Sequence, residues 1–163
     1  MSKATTATIL GLLLMMTSAA QAQTDSLAVG RPVRVERPNL VTVELMGRGV
    51  LYSVNYERYL TSWFGLGVGA MGFGNSDGGL GMFPVFVSFN PVGDEHSLYL
   101  SAGATFLVGD TRFFSAISTV FGNAQAGYQM QLRGGFVLRA TANFLFSEHG
   151  WLIWPGVNLG GSF

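Results

Sequence analysis

Residues 40–57 read L-V-T-V-E-L-M-G-R-G-V-L-Y-S-V-N-Y-E. Val41, Val43 and Leu45 alternate with Thr42, Glu44 and Met46. After the turn, Tyr52, Val54 and Tyr56 alternate with Ser53, Asn55 and Glu57. A period of two puts each set on its own face of a strand. The spacing predicts strands over 40–47 and 50–60, joined at a tight Gly47-Arg48-Gly49 turn.

The same alternation runs to the end of the chain. Over 64–73, Leu66, Val68 and Ala70 oppose Gly65, Gly67 and Gly69; the Gly-rich stretch 74–81 reads as a loop. Residues 82–90 are less regular, because Pro84 interrupts them and both faces are apolar. A Pro91-to-Asp94 turn follows. Over 97–107, Leu98, Leu100, Ala102 and Phe106 oppose Ser97, Tyr99, Ser101 and Thr105. After a connection at 108–118, residues 119–131 set Val120, Ala124, Ala126, Tyr128 and Met130 against Asn123, Gln125 and Gln129. Residues 136–146 set Phe136, Leu138, Ala140, Ala142 and Phe144 against Arg139, Thr141 and Asn143. Residues 152–163 set Ile153, Val157, Leu159 and Phe163 against Asn158, Gly160 and Ser162. Eight strands of about 11 residues suit a transmembrane barrel, whose strands need about 9–11. The fold class predicted is all-β, an eight-stranded antiparallel up-and-down barrel.

Composition agrees. Of 163 residues only 11% are charged and 48% are hydrophobic, with 23 Gly and 13 Phe. Disorder is excluded, since it needs low hydrophobicity and high net charge. Nine basic and nine acidic residues leave no excess to neutralise phosphates, which argues against nucleic acid as a partner. With no cysteine, disulfides, thiolate metal sites and a lipid-modified N-terminal Cys are excluded.

The N-terminus reads as an address. Lys3 precedes the apolar run Ile9–Met16, and small residues end in Ala20-Gln21-Ala22. That is a signal peptide over 1–22, with Gln23 as the mature N-terminus; the apolar run is too short to span a bilayer. Residues 23–39 hold Pro32, Pro38, Arg31, Arg34 and Arg37 and read as an extended periplasmic linker, leaving 40–163 as the barrel domain.

Periodicity does not say which face points inward, since a soluble lipocalin-like barrel lines its cavity with the apolar face. Three features favour the lipid-facing arrangement. The polar face is small and hydrogen-bonding, as the narrow interior of an eight-stranded barrel requires. Aromatic residues gather near strand ends: Tyr59, Trp63 and Phe64 at one turn, Phe144, Phe146, Trp151 and Trp154 at another. The chain ends on Phe163, with Val157 and Leu159 on the same face.

A terminal strand ending in Phe resembles the assembly signal of bacterial outer-membrane barrels, here Val157, Leu159 and Phe163; Gly161 departs from it, where such signals more often carry an aromatic. The stretch from Glu44 to Tyr59 resembles the opening hairpin of small outer-membrane barrel proteins common in Bacteroidota. The resemblance implies a bacterial outer-membrane location, insertion by the barrel assembly machinery and contact with outer-membrane lipids, and no agreed activity. A barrel closed on itself is expected as a monomer. An even strand count puts both termini in the periplasm and the loops at 47–49, 74–81, 108–118 and 147–151 outside.

Glu44, Glu57 and Arg139 share the expected interior. Paired carboxylates can do acid–base chemistry, but a filled lumen admits no substrate. A structural network with Asn55, Gln125, Asn143 and Asn158 is the better reading. Ser147-Glu148-His149 holds the residue types of a hydrolase triad, yet three consecutive residues do not converge on one hydrogen-bonded chain. His96 and His149 are the only histidines, a poor basis for a metal site. Gly65-x-Gly67-x-Gly69 lacks the helix and acid of a nucleotide fingerprint; these glycines are expected to make room for a large neighbour such as Tyr99 or Phe73. No catalytic, cofactor or metal site is therefore expected. The favoured function is a structural or interaction protein of the envelope. The alternatives are a lipid A or phospholipid acyl hydrolase or transferase, and a soluble periplasmic binding barrel.

Overall fold

The computed structural model describes residues 30–75, 78–109, 120–148 and 150–163. The expected signal peptide and its cleavage site, Ser76, most of the connection at 108–118 and His149 lie outside the described residues. One helical turn, α1 (Val33–Glu36), precedes eight strands: β1 (Asn39–Leu45), β2 (Tyr52–Tyr59), β3 (Phe64–Asn75), β4 (Gly78–Phe89), β5 (His96–Gly109), β6 (Val120–Gln131), β7 (Phe136–Ser147) and β8 (Gly150–Ser162). Each strand pairs antiparallel with the next, and β1 pairs with β8. The sheet is a closed eight-stranded antiparallel barrel, which leaves no unpaired edge.

Alternation fixes what each face meets. Val41, Val43, Leu45, Val54, Leu66, Val68, Val85 and Val87 stand outside, 43–51% exposed. Their neighbours Thr42, Glu44, Ser53, Asn55 and Glu57 are 0–3% exposed. This is a soluble barrel turned inside out: an apolar wall suits hydrocarbon, and closure satisfies the strand backbone without water.

Pro84 does not break β4. Met82, Pro84, Phe86 and Ser88 point in, and Phe83, Val85, Val87 and Phe89 point out. The β3–β4 register runs Val68↔Val85 and then Met71↔Met82, without pairs at the two positions between. Proline has no N–H to donate there, and the ladder resumes beyond it. The strand also starts earlier than its sequence suggests, because Gly78–Gly81 pair with Gly72–Asn75. The glycine-rich stretch read as a loop is largely hairpin, since glycine tolerates extended backbone and only Ser76 and Asp77 stand between the strands.

Two other expectations are corrected. The connection after β1 is no tight turn at Gly47–Gly49. It spans 46–51, with Met46 and Val50 at positive φ, and folds Arg48 into the barrel. The described part of the supposed extended linker carries α1, where Pro32 starts the turn and its carbonyl accepts from the Val35 and Glu36 amides. Arg34 anchors this turn inside the barrel end.

The lumen is layered, as the inward residues of β7 show in order: Val137, Arg139, Thr141, Asn143, Leu145. Near the termini Leu40, Tyr59 and Val137 pack together. Polar residues fill the middle. At the far end Met71, Leu80, Met82, Leu107, Phe121 and Leu145 form an apolar cluster with Val50, Phe73 and Trp154 against it. The interior is therefore not polar throughout. Tyr59 and Trp154, expected in the outer aromatic belts, turn inward, Phe64 is half-buried, and Trp63, Phe144, Phe146 and Trp151 stand outside.

Candidate functional site: the filled lumen and its end plug

The lumen holds two buried ion pairs. Glu44 lies on β1 and Arg48 four residues on, in the connection that folds back; both side chains are fully buried. The Glu44 carboxylate accepts from Arg48 Nη1 at 3.4 Å and the Arg48 amide at 3.1 Å. It also accepts from Ser53 Oγ at 3.1 Å, Asn55 Nδ2 at 3.3 Å, Gln125 Nε2 at 2.6 Å and Asn158 Nδ2 at 3.3 Å. These donors come from β2, β6 and β8, so one carboxylate gathers strands around much of the barrel. A buried charge this well hydrogen-bonded escapes most of the cost of leaving water.

The second pair lies nearer the termini. Arg139 Nη2 on β7 donates to Glu57 Oε2 on β2 at 2.8 Å, across the lumen. Arg139 also donates to Gln129 Oε1 through Nε at 2.9 Å, and Ser88 Oγ donates to Glu57. Tyr99 joins the two pairs. Its hydroxyl accepts from Arg48 Nη2 at 2.8 Å, and its ring carries the Arg139 guanidinium 3.6 Å from its centroid. Arg48 in turn lies 3.7 Å from the Phe86 ring centroid. Phe86, Arg48, Tyr99 and Arg139 thus form a stack of alternating rings and guanidiniums, each contact a desolvated cation–π interaction apart from the hydroxyl bond. The ring of Phe86 fits because Gly67 faces it: a Cβ at Gly67 would overlap the ring. The neighbour that the glycines of β3 accommodate is Phe86, with Asn55 beside Gly69, and neither Tyr99 nor Phe73.

All seven lumen residues singled out from the sequence, Gln125 included, are buried. Glu44, Asn55 and Asn158 meet directly; Asn143 joins them by accepting from Gln125 and donating to the Met46 carbonyl at 3.1 Å. Glu57 and Arg139 form a separate pair. Sequence reasoning missed Arg48, the partner of Glu44. The signal was there: glycines on both sides of one arginine, in a chain with few charges. Val157, Leu159 and Phe163 lie on the outer wall at 41%, 47% and 61% exposure.

Arg34 closes the end that carries the termini. It is 2% exposed. Nε donates to the Ser62 carbonyl at 2.6 Å, Nη1 to the Asp94 carbonyl at 2.7 Å and to Ser97 Oγ at 3.3 Å, and Nη2 to the Gly93 carbonyl. The Val33 amide donates to Asp94 Oδ1 at 2.7 Å. Burial pulls the Arg34 guanidinium below its ordinary pKa, opposed by Tyr59 and Asp94. One helical turn therefore ties the β2–β3 and β4–β5 turns, and Arg133, from the β6–β7 turn, reaches Glu36, Asp94 and Glu95 at 3.1–3.2 Å.

Among the described residues no group of three or more His, Asp or Glu is placed to hold a metal. Ser147 ends β7 and His96 begins β5, at opposite ends of the barrel.

No protein-family model matches the sequence, and no curated protein matches it. Solved structures do. The N-terminal β-barrel domain of Pseudomonas aeruginosa OprF matches with a TM-score of 0.54 at 14% identity, over 77% of this chain and 95% of that one. Ail of Yersinia pestis matches with a TM-score of 0.42 at 14% identity, over 77% and 94%. The likeness to the OprF domain is one of fold: the chain has the architecture of a small eight-stranded outer-membrane barrel.

Proposed function

We propose that the chain is a sealed barrel of the bacterial outer membrane that serves the envelope as a structural or interaction protein, neither a conduit nor an enzyme. The observation that carries this is the pair of ion pairs bridged by Tyr99. They fill the middle of the lumen, with the apolar cluster beyond them and the Arg34 plug before them. Such an interior stabilises a wall and leaves its surface and loops to meet partners. In this reading a signal peptide over 1–22 directs export. The assembly machinery reads the last strand through Val157, Leu159 and Phe163, both termini lie in the periplasm, and the barrel works as a monomer among outer-membrane lipids.

Conductance tests the sealed lumen. The mature chain, reconstituted in planar bilayers, is expected to give no stable single-channel steps. Reproducible ohmic steps that scale with protein would overturn the reading. Unchanged lipid A and phospholipid mass profiles on deletion of the protein are expected too; a lost or altered acyl species would point to the enzymatic alternative.

A further inference from the structure

Charged side chains on the described strands turn inward, with one exception. Arg58, second from the end of β2, points out of the barrel and is exposed. No hydrogen bond or ion pair joins its side chain to a described residue. Its register partners are Asn39 on β1 and Leu66 on β3. On the same face of β2 stand Tyr56, whose hydroxyl donates to Asn39 Oδ1 at 2.8 Å, and then Val54. Toward the end come Leu60 and Trp63, the latter edge-on to Phe89 at 5.4 Å. No acid lies among these neighbours.

These placements fix the level of Arg58. Aromatic residues of the Trp63–Phe89 kind sit at the membrane interface, and Val54, Leu66 and Val68 continue the apolar wall inward. A guanidinium at that boundary keeps its head toward the water and its stem on the wall. With no side-chain acceptor among the described residues, the complement of the planar guanidinium is an oxyanion whose two oxygens take two parallel hydrogen bonds, as the non-bridging oxygens of a phosphodiester do. The geometry points to Arg58 as the headgroup site of an anionic glycerophospholipid, its phosphate on the guanidinium and its acyl chains along Val54, Leu66 and Val68. This rests on the membrane reading above.

The chain has no cysteine, so Leu60→Cys supplies a single labelling site on the same exposed face two residues away. A bimane there, in the mature chain reconstituted in phosphatidylcholine vesicles, reads quenching by brominated phosphatidylglycerol against brominated phosphatidylcholine. Both lipids should quench. Phosphatidylglycerol should associate about fivefold more strongly, the worth of one basic side chain at an anionic surface. Arg58→Gln should bring the two lipids to parity, Arg58→Lys should keep most of the preference, and high salt should reduce it. Parity in the parent chain, or a preference that survives Arg58→Gln, would overturn the site while leaving the membrane reading intact. Absence of quenching by either lipid would overturn both.

Discussion

Tyr99 stands between the two buried arginines: its hydroxyl accepts from Arg48 at 2.8 Å while its ring carries Arg139 at 3.6 Å. Through it the Glu44–Arg48 and Glu57–Arg139 pairs act on one another. Tyr99 pairs with Gly127 on β6, so its ring reaches into the lumen from the wall between β4 and β6. The core of this barrel is therefore electrostatic and aromatic in its middle layer, with apolar packing confined to its ends.

Tyr99→Phe removes the acceptor and keeps the ring. Arg48 then retains Ser101 Oγ at 2.7 Å and Glu44, and the loss should be about 1–3 kcal/mol. Tyr99→Leu removes the ring as well and should cost more. Unfolding of the detergent-folded barrel, followed by its heat-modifiable gel mobility, should rank parent above Tyr99→Phe above Tyr99→Leu. Equal midpoints for all three would deny Tyr99 its linking role.

Arg139→Met leaves Glu57 buried without its cation, a loss of about 3–5 kcal/mol. Replacing both, as Glu57→Gln with Arg139→Met, should recover a large part of that. The double variant falling as far as the sum of the singles would show that the pair is not coupled.

The alternation that sets inward from outward residues was legible in every strand but β4, because one side of a strand meets hydrocarbon and the other a crowded interior; in β4 the inward Met82, Pro84 and Phe86 are as apolar as the outward face. Glu44, Glu57 and Arg139 were legible as interior charges for the same reason. Arg48 and Arg34 were not, since both lie outside the strands, where period two gives no direction; Arg48 comes from the irregular connection after β1 and Arg34 from the helical turn α1. The glycines at 78–81 misled in the other direction, because composition marks a turn while the ladder with Gly72–Asn75 makes it strand. Tyr59 and Trp154 carry apolar and polar character together, so their position near a strand end suggested the belt rather than the interior they occupy.

Arg34→Ala should free the segment before β1 and leave the barrel closed, since no strand pairing depends on that side chain. Limited proteolysis of the folded protein should then cut around Arg37 much faster than in the parent, with the 40–163 fragment still showing heat-modifiable mobility. Cutting at an unchanged rate would mean that Arg34 does not hold the plug.

An epitope inserted at Ser115 should be labelled on intact cells, and one inserted between Pro91 and His96 only after the outer membrane is breached. The second position shares its end with the Arg34 plug and both strand termini. The reverse pattern would invert the barrel in the membrane.

The lipid-facing wall is the claim on which the rest stands. Ala140 and Thr141 are adjacent on β7, the first exposed and the second 8% exposed. Arginine at a midplane outer position costs about 2–4 kcal/mol, but Ala140→Arg would also disturb a barrel with an apolar cavity, so environment decides where stability does not. A spin label on a single cysteine at 140, in reconstituted membranes, should show high oxygen accessibility and low accessibility to a water-soluble nickel complex. The same label at 141 should be shielded from oxygen in the bilayer. Low oxygen accessibility at both positions, with the nickel reagent reaching 140, would contradict an outer-membrane barrel.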